Sequence, residues 1–272
     1  MKIAIIGAGN MGGAIANGLA TDSIASSSQI VVTARTQATL DRIQAAIPSV
    51  TTMLDNRLAT EGASIVMLCV KPWLVQGVLE EIFPSINAMR QEGRAPLIIS
   101  VAAGITFDQL AQMLGETPET CDYPMARVIP NTAISIRQSP TLICFNAAMP
   151  EAQRTFVKAM FDDLGSAIVI DEDHMAAGTA ITSCGIAYAL EYIKAAIQGA
   201  IELGFYPQVA RQMIDQTVQG AVALLEHNGT MPDQEIYKVC TPGGITIKGL
   251  NEMTREGFDH AVIAGLKKAA GK

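Results

Sequence analysis

The chain has no basic block. Its 272 residues hold 19 Lys and Arg against 26 Asp and Glu, a net charge of −7, and the cations are scattered. Nucleic-acid phosphates reward clustered Lys and Arg, so no nucleic-acid partner is expected. Cysteine is sparse: Cys69, Cys121, Cys144, Cys184 and Cys240 are odd in number and form no C-x-x-C. None has metal-ligand spacing with His174, His227 or His260. No metal site is expected, and most of these residues read as core thiols in a reducing compartment, which points to the cytoplasm. Long apolar runs are missing too. The nearest, Ala176 to Ile201, carries Glu191 and Lys194, so no membrane span is expected. The apolar run near Met1 is too short for a signal peptide, and cleavage there would remove the motif that follows. Apolar content of 49% is ample for a core, and the length suits two domains.

What is present begins at Lys2. Ile3-Ala4-Ile5-Ile6 leads into Gly7-Ala8-Gly9-Asn10-Met11-Gly12, and a helical pattern follows. This is G-x-G-x-x-G between a strand and a helix, the dinucleotide-binding fingerprint. Gly7 permits the tight turn, Gly9 lets a pyrophosphate approach the backbone, and Gly12 lets the helix pack on the strand. Unpaired N–H groups at the helix start, with the positive end of its dipole, attract phosphate. A glycine-rich turn in an ordinary α/β protein remains the plainer alternative.

Short β-like runs recur at residues 3–6, 30–33, 65–70, 97–101, 126–129, 141–145 and 167–170. Helical patterns at 36–46, 74–89 and 106–114 separate the early ones. The alternation predicts a parallel, doubly wound sheet. From Asp173 onward the β pattern ends, and 173–203, 207–227, 233–239 and 246–270 read as helices. The expected organisation is α/β: a Rossmann-type nucleotide domain over 1–170, then an all-helical domain over 171–272. In Asp171-Glu172-Asp173-His174, carboxylates beside His can bind metal or relay protons, but at a domain junction they read as hinge and cap, with Asp173 capping the long helix. The stretch 175–203 is apolar on nearly every side, and such a helix must be covered on every side. Some 100 residues of helix do that poorly alone, so a subunit interface and at least a dimer are expected.

No acid lies between Gln29 and Ala38. NAD-specific sites place Asp or Glu there for the ribose 2′-OH, whereas Arg accommodates a 2′-phosphate. Arg35 can pair with that phosphate, and Thr33 and Thr36 can donate hydroxyls, so NADP is the expected cofactor, with NADPH preferred over NADH. Val70-Lys71-Pro72 ends a strand at the carboxyl edge, where ligands bind in such sheets. Lys71 reads as catalytic or as a neutraliser of phosphate. Ala102 and Ala103 follow another strand end, where small side chains let a flat ring lie on backbone.

Val239-Cys240-Thr241-Pro242-Gly243-Gly244-Ile245-Thr246 lies between two helical segments. Pro-Gly-Gly forces a turn whose N–H groups, with the next helix start, form a small anion trap suited to a carboxylate. Thr246 reads as pointing near that trap or as a capping residue.

The set GAGNMG, VKP, SVAAGIT, RVIPNT, GIAY and TPGGIT, in this order and spacing, closely resembles the pyrroline-5-carboxylate reductase family over nearly the whole chain. The resemblance implies reduction of the cyclic imine 1-pyrroline-5-carboxylate to L-proline with NAD(P)H, the last step of proline biosynthesis. It implies cofactor contacts from Gly7, Gly9, Asn10, Met11 and Gly12, Asn56 near the adenosine ribose, and Val70, Lys71 and Pro72 under the nicotinamide end. It implies a substrate carboxylate on the backbone of Gly243, Gly244, Ile245 and Thr246 beside the Thr241 hydroxyl. Thr246 then hydrogen-bonds the ring nitrogen as the catalytic residue. It also implies interlocked helical domains in a homodimer, which family members often assemble into decamers. Two departures stand out. The family tends to read S-G-S-G-P-A-Y where this chain has Thr182-Ser183-Cys184-Gly185-Ile186-Ala187-Tyr188, and Ile129 stands where Met is usual.

Two other readings stay open. A β-hydroxyacid dehydrogenase joins similar domains and uses Lys-x-x-x-Asn on its first long helix; Lys194 and Gln198 hold comparable positions here. A non-catalytic NADP(H)-sensing protein would keep the fingerprint without needing the substrate trap.

Overall fold

The computed structural model describes every residue except Asp22, Ser26, Ser27 and Lys272. In chain order the elements are β1 (Lys2–Ile6), α1 (Asn10–Ala20), β2 (Gln29–Thr33), α2 (Gln37–Ala46), β3 (Thr51–Met53), α3 (Asn56–Thr60), β4 (Ile65–Leu68), α4 (Val75–Gln91), β5 (Leu97–Ser100), α5 (Phe107–Met113), β6 (Met125–Ile129), β7 (Ser139–Phe145), α6 (Glu151–Asp162), β8 (Gly165–Val169), α7 (Met175–Thr182), α8 (Gly185–Glu202), α9 (Pro207–Asn228), α10 (Pro232–Val239), α11 (Ile245–Arg255) and α12 (Phe258–Ala269). Single 3₁₀ turns span Pro72–Leu74, Thr132–Ile136 and Glu172–His174.

The chain divides into two compact units, Met1–Ser183 and Cys184–Lys272. In the first, the strand order is β3-β2-β1-β4-β5-β6-β7-β8. Every neighbouring pair is parallel except β6 with β7. The central strands read as unbroken apolar runs because helices cover both faces; Ile3, Ala4, Ile5 and Ile6 are wholly buried. Two apolar clusters result, one on each side of the sheet. The chain runs outward from β1 to β2 and β3, then crosses back to place β4 on the other side of β1. That reversal opens a crevice at the carboxyl ends of β1 and β4.

The doubly wound fold is as expected, with differences of detail. The sheet is not parallel throughout, because β7 reverses against β6. Residues 65–70 and 97–101 leave the sheet at Leu68 and Ser100, so their last residues form the rim of the crevice. Segments β3, α3 and α6 lay outside the expected elements. The β3 segment has only three residues and no apolar run. For α6 the signal was there: Pro150 leads in, and Val157, Met160 and Phe161 bury one face at i, i+3 and i+4.

Residues 173–203 and 246–270 do not form single helices. The first region holds a 3₁₀ turn, α7 and α8. The second breaks at Gly257, whose φ of +85° reverses the backbone before α12. The expected boundary at 170/171 also differs from the compact division at 183/184. The reason is packing: a Cβ on Gly178 of α7 would lie 2.6 Å from Leu142 Cδ1 of β7, so α7 seats directly on the sheet. Asp173 caps no helix; it lies inside the 3₁₀ turn, and the cap position of α7 is His174, without a side-chain bond.

The second unit contains helices α8 to α12. Among its described residues only Ala210 is buried, while Leu203, Tyr206, Tyr237 and Ile245 are each more than 70% exposed. These helices carry the apolar surface of a core without enclosing one.

Candidate functional site

The fingerprint forms a cradle at the end of β1. Gly7 has φ +106°, and its N–H and that of Ala8 both donate to the Thr33 carbonyl of β2, at 3.2 and 2.7 Å. A Cβ on Gly7 would lie 2.8 Å from Val70 Cγ1 and 2.9 Å from the Cys69 carbonyl oxygen. One on Gly12 would lie 2.1 Å from the Gly7 carbonyl oxygen, so the helix touches the loop there and admits nothing larger. Gly9 differs: nothing stands within 4 Å of its Cβ position. The missing side chain there leaves open space. Gly9 caps α1 without a side-chain bond, and no acid lies in the first turn. The N–H groups of Asn10, Met11 and Gly12 therefore have no i−4 carbonyl within the helix and sit at its positive end. A pyrophosphate fits this arrangement.

The other expected cofactor residues gather on the same edge. Thr33 is wholly buried, and its hydroxyl donates to Asn56 Oδ1 at 2.6 Å. It is a brace between the end of β2 and the start of α3 and is not free to meet a 2′-phosphate. Asn56 Nδ2 donates in turn to Glu81 Oε2 at 2.8 Å. Glu81, on α4, was not picked out from the sequence, because nothing local ties it to an asparagine 25 residues earlier. Thr36 caps α2, accepting from the Thr39 N–H. Arg35 and Lys71 are exposed, and neither makes an ion pair among the described residues. Two uncommitted cations beside an anion cradle suit a polyphosphate ligand. Pro72 opens a 3₁₀ turn held by the Leu74 N–H donating to the Lys71 carbonyl at 2.9 Å. Ala103 is exposed, but Ala102 is only 3% exposed and turns its methyl into the core, which leaves its backbone alone to meet a ligand. Burial pushes the Cys69 thiol up to about 12, so it stays neutral beneath the glycines.

The Thr241–Thr246 turn lies in the second unit. Gly243 has φ +68°, and the Gly244 N–H donates to the Thr241 carbonyl at 2.9 Å, closing the turn. A Cβ on Gly244 would lie 2.4 Å from Thr241 Oγ1, so the close turn demands glycine. Gly244, and not Thr246, is the cap residue of α11, and it offers no side-chain oxygen. The N–H groups of Ile245, Thr246 and Ile247 are thus left over. Neither the Thr241 nor the Thr246 hydroxyl has a hydrogen-bond partner among the described residues, and no acid lies in the first turn of α11. The turn can receive a carboxylate.

Lys194, the proton donor that a hydroxyacid dehydrogenase would need, is exposed and lies 2.6 Å from Glu191 Oε1 on the same helix. Among the described residues no three His, Cys, Asp or Glu gather as a metal site. No described helix is long and apolar enough to cross a membrane.

A Rossmann unit with a phosphate cradle, followed by a helical unit whose apolar faces lie open, defines a class: two-unit oxidoreductases that bind a pyridine nucleotide. Comparison with known proteins agrees. Residues 2–104 match the family described as "NADP oxidoreductase coenzyme F420-dependent", and residues 172–272 match "Pyrroline-5-carboxylate reductase dimerisation". Pyrroline-5-carboxylate reductase 2 of Dictyostelium discoideum is 33% identical over 285 residues, covering 100% of this chain and 91% of the relative. Pyrroline-5-carboxylate reductase 1 of the same organism is 34% identical, and this chain spans 49% of its length. The solved pyrroline-5-carboxylate reductase of Coxiella burnetii superposes with a TM-score of 0.87 at 27% identity, covering 99% of this chain and 96% of that one. The chain belongs to the pyrroline-5-carboxylate reductase family.

Proposed function

We propose that the chain reduces 1-pyrroline-5-carboxylate to L-proline with NADPH, the closing step of proline biosynthesis. The reading is carried by the turn at 241–246, which offers spare N–H groups and two uncommitted hydroxyls, an acceptor for a small imino acid. When bound, the nicotinamide supplies the hydride. The chain's own work is placement. Gly9 and the start of α1 hold the pyrophosphate, and Val70, Lys71, Pro72 and the backbone of Ala102 and Ala103 line the nicotinamide end. The backbone of Gly243, Gly244, Ile245 and Thr246 holds the substrate carboxylate beside the Thr241 hydroxyl. Thr246 would hydrogen-bond the ring nitrogen and orient the C=N bond to accept the hydride. The proton on nitrogen can come from solvent.

Arg35 and the Thr36 hydroxyl favour a 2′-phosphate, because no acid is present to accept from a 2′-OH. The coreless helical unit supports a homodimer, and assembly of dimers into a decamer follows the habit of the family. Five unpaired thiols support a reducing compartment, the cytoplasm.

The test is loss of reduced-cofactor absorbance on adding the cyclic imine, with NADPH and NADH in parallel, for the parent and Arg35→Ala. Turnover that Arg35→Ala weakens with NADPH but not NADH is expected. No turnover with either cofactor refutes the activity, and equal loss with both refutes the role of Arg35.

A further inference from the structure

The segment that delivers the substrate turn has little apolar anchorage of its own. Helix α10 ends at Val239, and only Cys240 separates it from Thr241. No residue of α10 is buried, and Ile236, Tyr237 and Val239 are 39%, 74% and 62% exposed. Within the chain, what ties it to the end of α9 is one carboxylate. Glu235 Oε1 accepts from Asn228 Nδ2 at 3.1 Å, from Thr230 Oγ1 at 2.6 Å and from Lys238 Nζ at 2.7 Å. Asn228 is the last residue of α9, Thr230 lies in the link, and Lys238 is in the final turn of α10. The link itself turns through Gly229, at φ +61°. One oxygen thus joins the end of one helix, the corner and the end of the next, with its side chain 14% exposed.

We infer that Glu235 is a positioning residue for substrate capture: its clasp fixes the direction in which α10 presents the Thr241–Thr246 turn. The inference rests on the turn being the carboxylate site. Lys238, then Thr230 and Asn228, hold the Glu235 carboxyl down at about 2, so the clasp stays charged at every pH suited to an assay. Loosening it leaves the nucleotide cradle in Met1–Ser183 intact and blurs only the aim of the spare N–H groups at 245–247.

The experiment compares the full-length parent with Glu235→Ala and Glu235→Gln, measuring KM for 1-pyrroline-5-carboxylate, KM for NADPH and kcat. Glu235→Ala is expected to raise the imine KM roughly tenfold, as displacement of a binding group by a fraction of an ångström does. KM for NADPH stays within about twofold, because that site is built from other residues. Glu235→Gln keeps an acceptor for Thr230 and Asn228 but loses the attraction for Lys238, so its effect falls in between, and it carries the test should the alanine variant not fold. An imine KM unchanged in the folded variants overturns the inference. So does a parallel rise in both KM values, which marks general loosening. A parent that fails to turn over the imine overturns the functional reading instead.

Discussion

Arg127 Nη1 lies 2.6 Å from Glu172 Oε1, joining the middle of β6 to the 3₁₀ turn that precedes α7. The same carboxylate oxygen accepts the Phe107 N–H at 2.8 Å, a first-turn donor of α5 that the Thr106 cap does not reach. The Arg127 side chain is 6% exposed, and that of Glu172 is 31% exposed. Removing Glu172 strands a buried guanidinium and leaves the Phe107 N–H without its acceptor, although the Thr106–Gln109 box still caps α5. We expect Glu172→Ala to cost about 2–4 kcal/mol, below the full figure for a wholly buried pair because Glu172 is partly wet. Urea unfolding should also show Arg127→Met with Glu172→Leu recovering part of that loss. A Glu172→Ala variant as stable as the parent contradicts the account.

The fingerprint glycines should separate by experiment. Gly12→Ala pushes a methyl to within 2.1 Å of a backbone oxygen and is expected to cost about 3 kcal/mol, seen as a lower unfolding midpoint. Gly9→Ala meets nothing within 4 Å at an ordinary φ of −70°, so stability should change by less than about 1 kcal/mol. Its new methyl occupies the space left for pyrophosphate, and KM for NADPH should rise about tenfold. If both variants unfold alike, or Gly9→Ala binds NADPH normally, the division of roles fails.

For Thr246 the expectation is kinetic. Thr246→Ala removes one hydrogen bond to the reacting ring and should lose about 1–3 kcal/mol of transition-state stabilisation in kcat/KM. Thr246→Ser keeps the hydroxyl and should restore most of it. Equal kcat/KM in parent and alanine variant would remove Thr246 from the mechanism.

Assembly is testable by dilution. The chain weighs 28.8 kDa, and sedimentation at micromolar concentration should return at least twice that mass. The unfolding midpoint should climb with protein concentration, since association stabilises by mass action. A monomer with a concentration-independent midpoint would leave the exposed apolar faces of α8 to α12 without an occupant.

Much of this was legible without coordinates because it is written locally. The strand-turn-helix at residues 2–20 needs only its own apolar run and glycines, and Pro242-Gly243-Gly244 forces its turn by backbone restriction alone. The apolar girth of 175–203 announced a helix needing cover all round; the sheet of the same chain covers Met175 and Ala180 in α7, whereas no residue of α8 is buried. Other features escaped because they join residues far apart. Nothing near Thr33 says that its hydroxyl will be spent on Asn56, and nothing near Glu172 says that it will neutralise Arg127. Asp173 looked like a cap by its neighbours, but the backbone there first makes a 3₁₀ turn and puts His174 at the helix boundary.

By itself, then, the sequence determined the periodicities, the two tight glycine turns and the absence of an acid after the second strand, since each depends on short-range sterics and residue chemistry. The tertiary structure alone decided which polar groups are consumed and which stay free. It paired Thr33 with Asn56, gathered Asn228, Thr230 and Lys238 on Glu235, and left the Thr241 and Thr246 hydroxyls uncommitted. Hydrogen-bond partnership depends on distance in space, and only the folded backbone sets that distance.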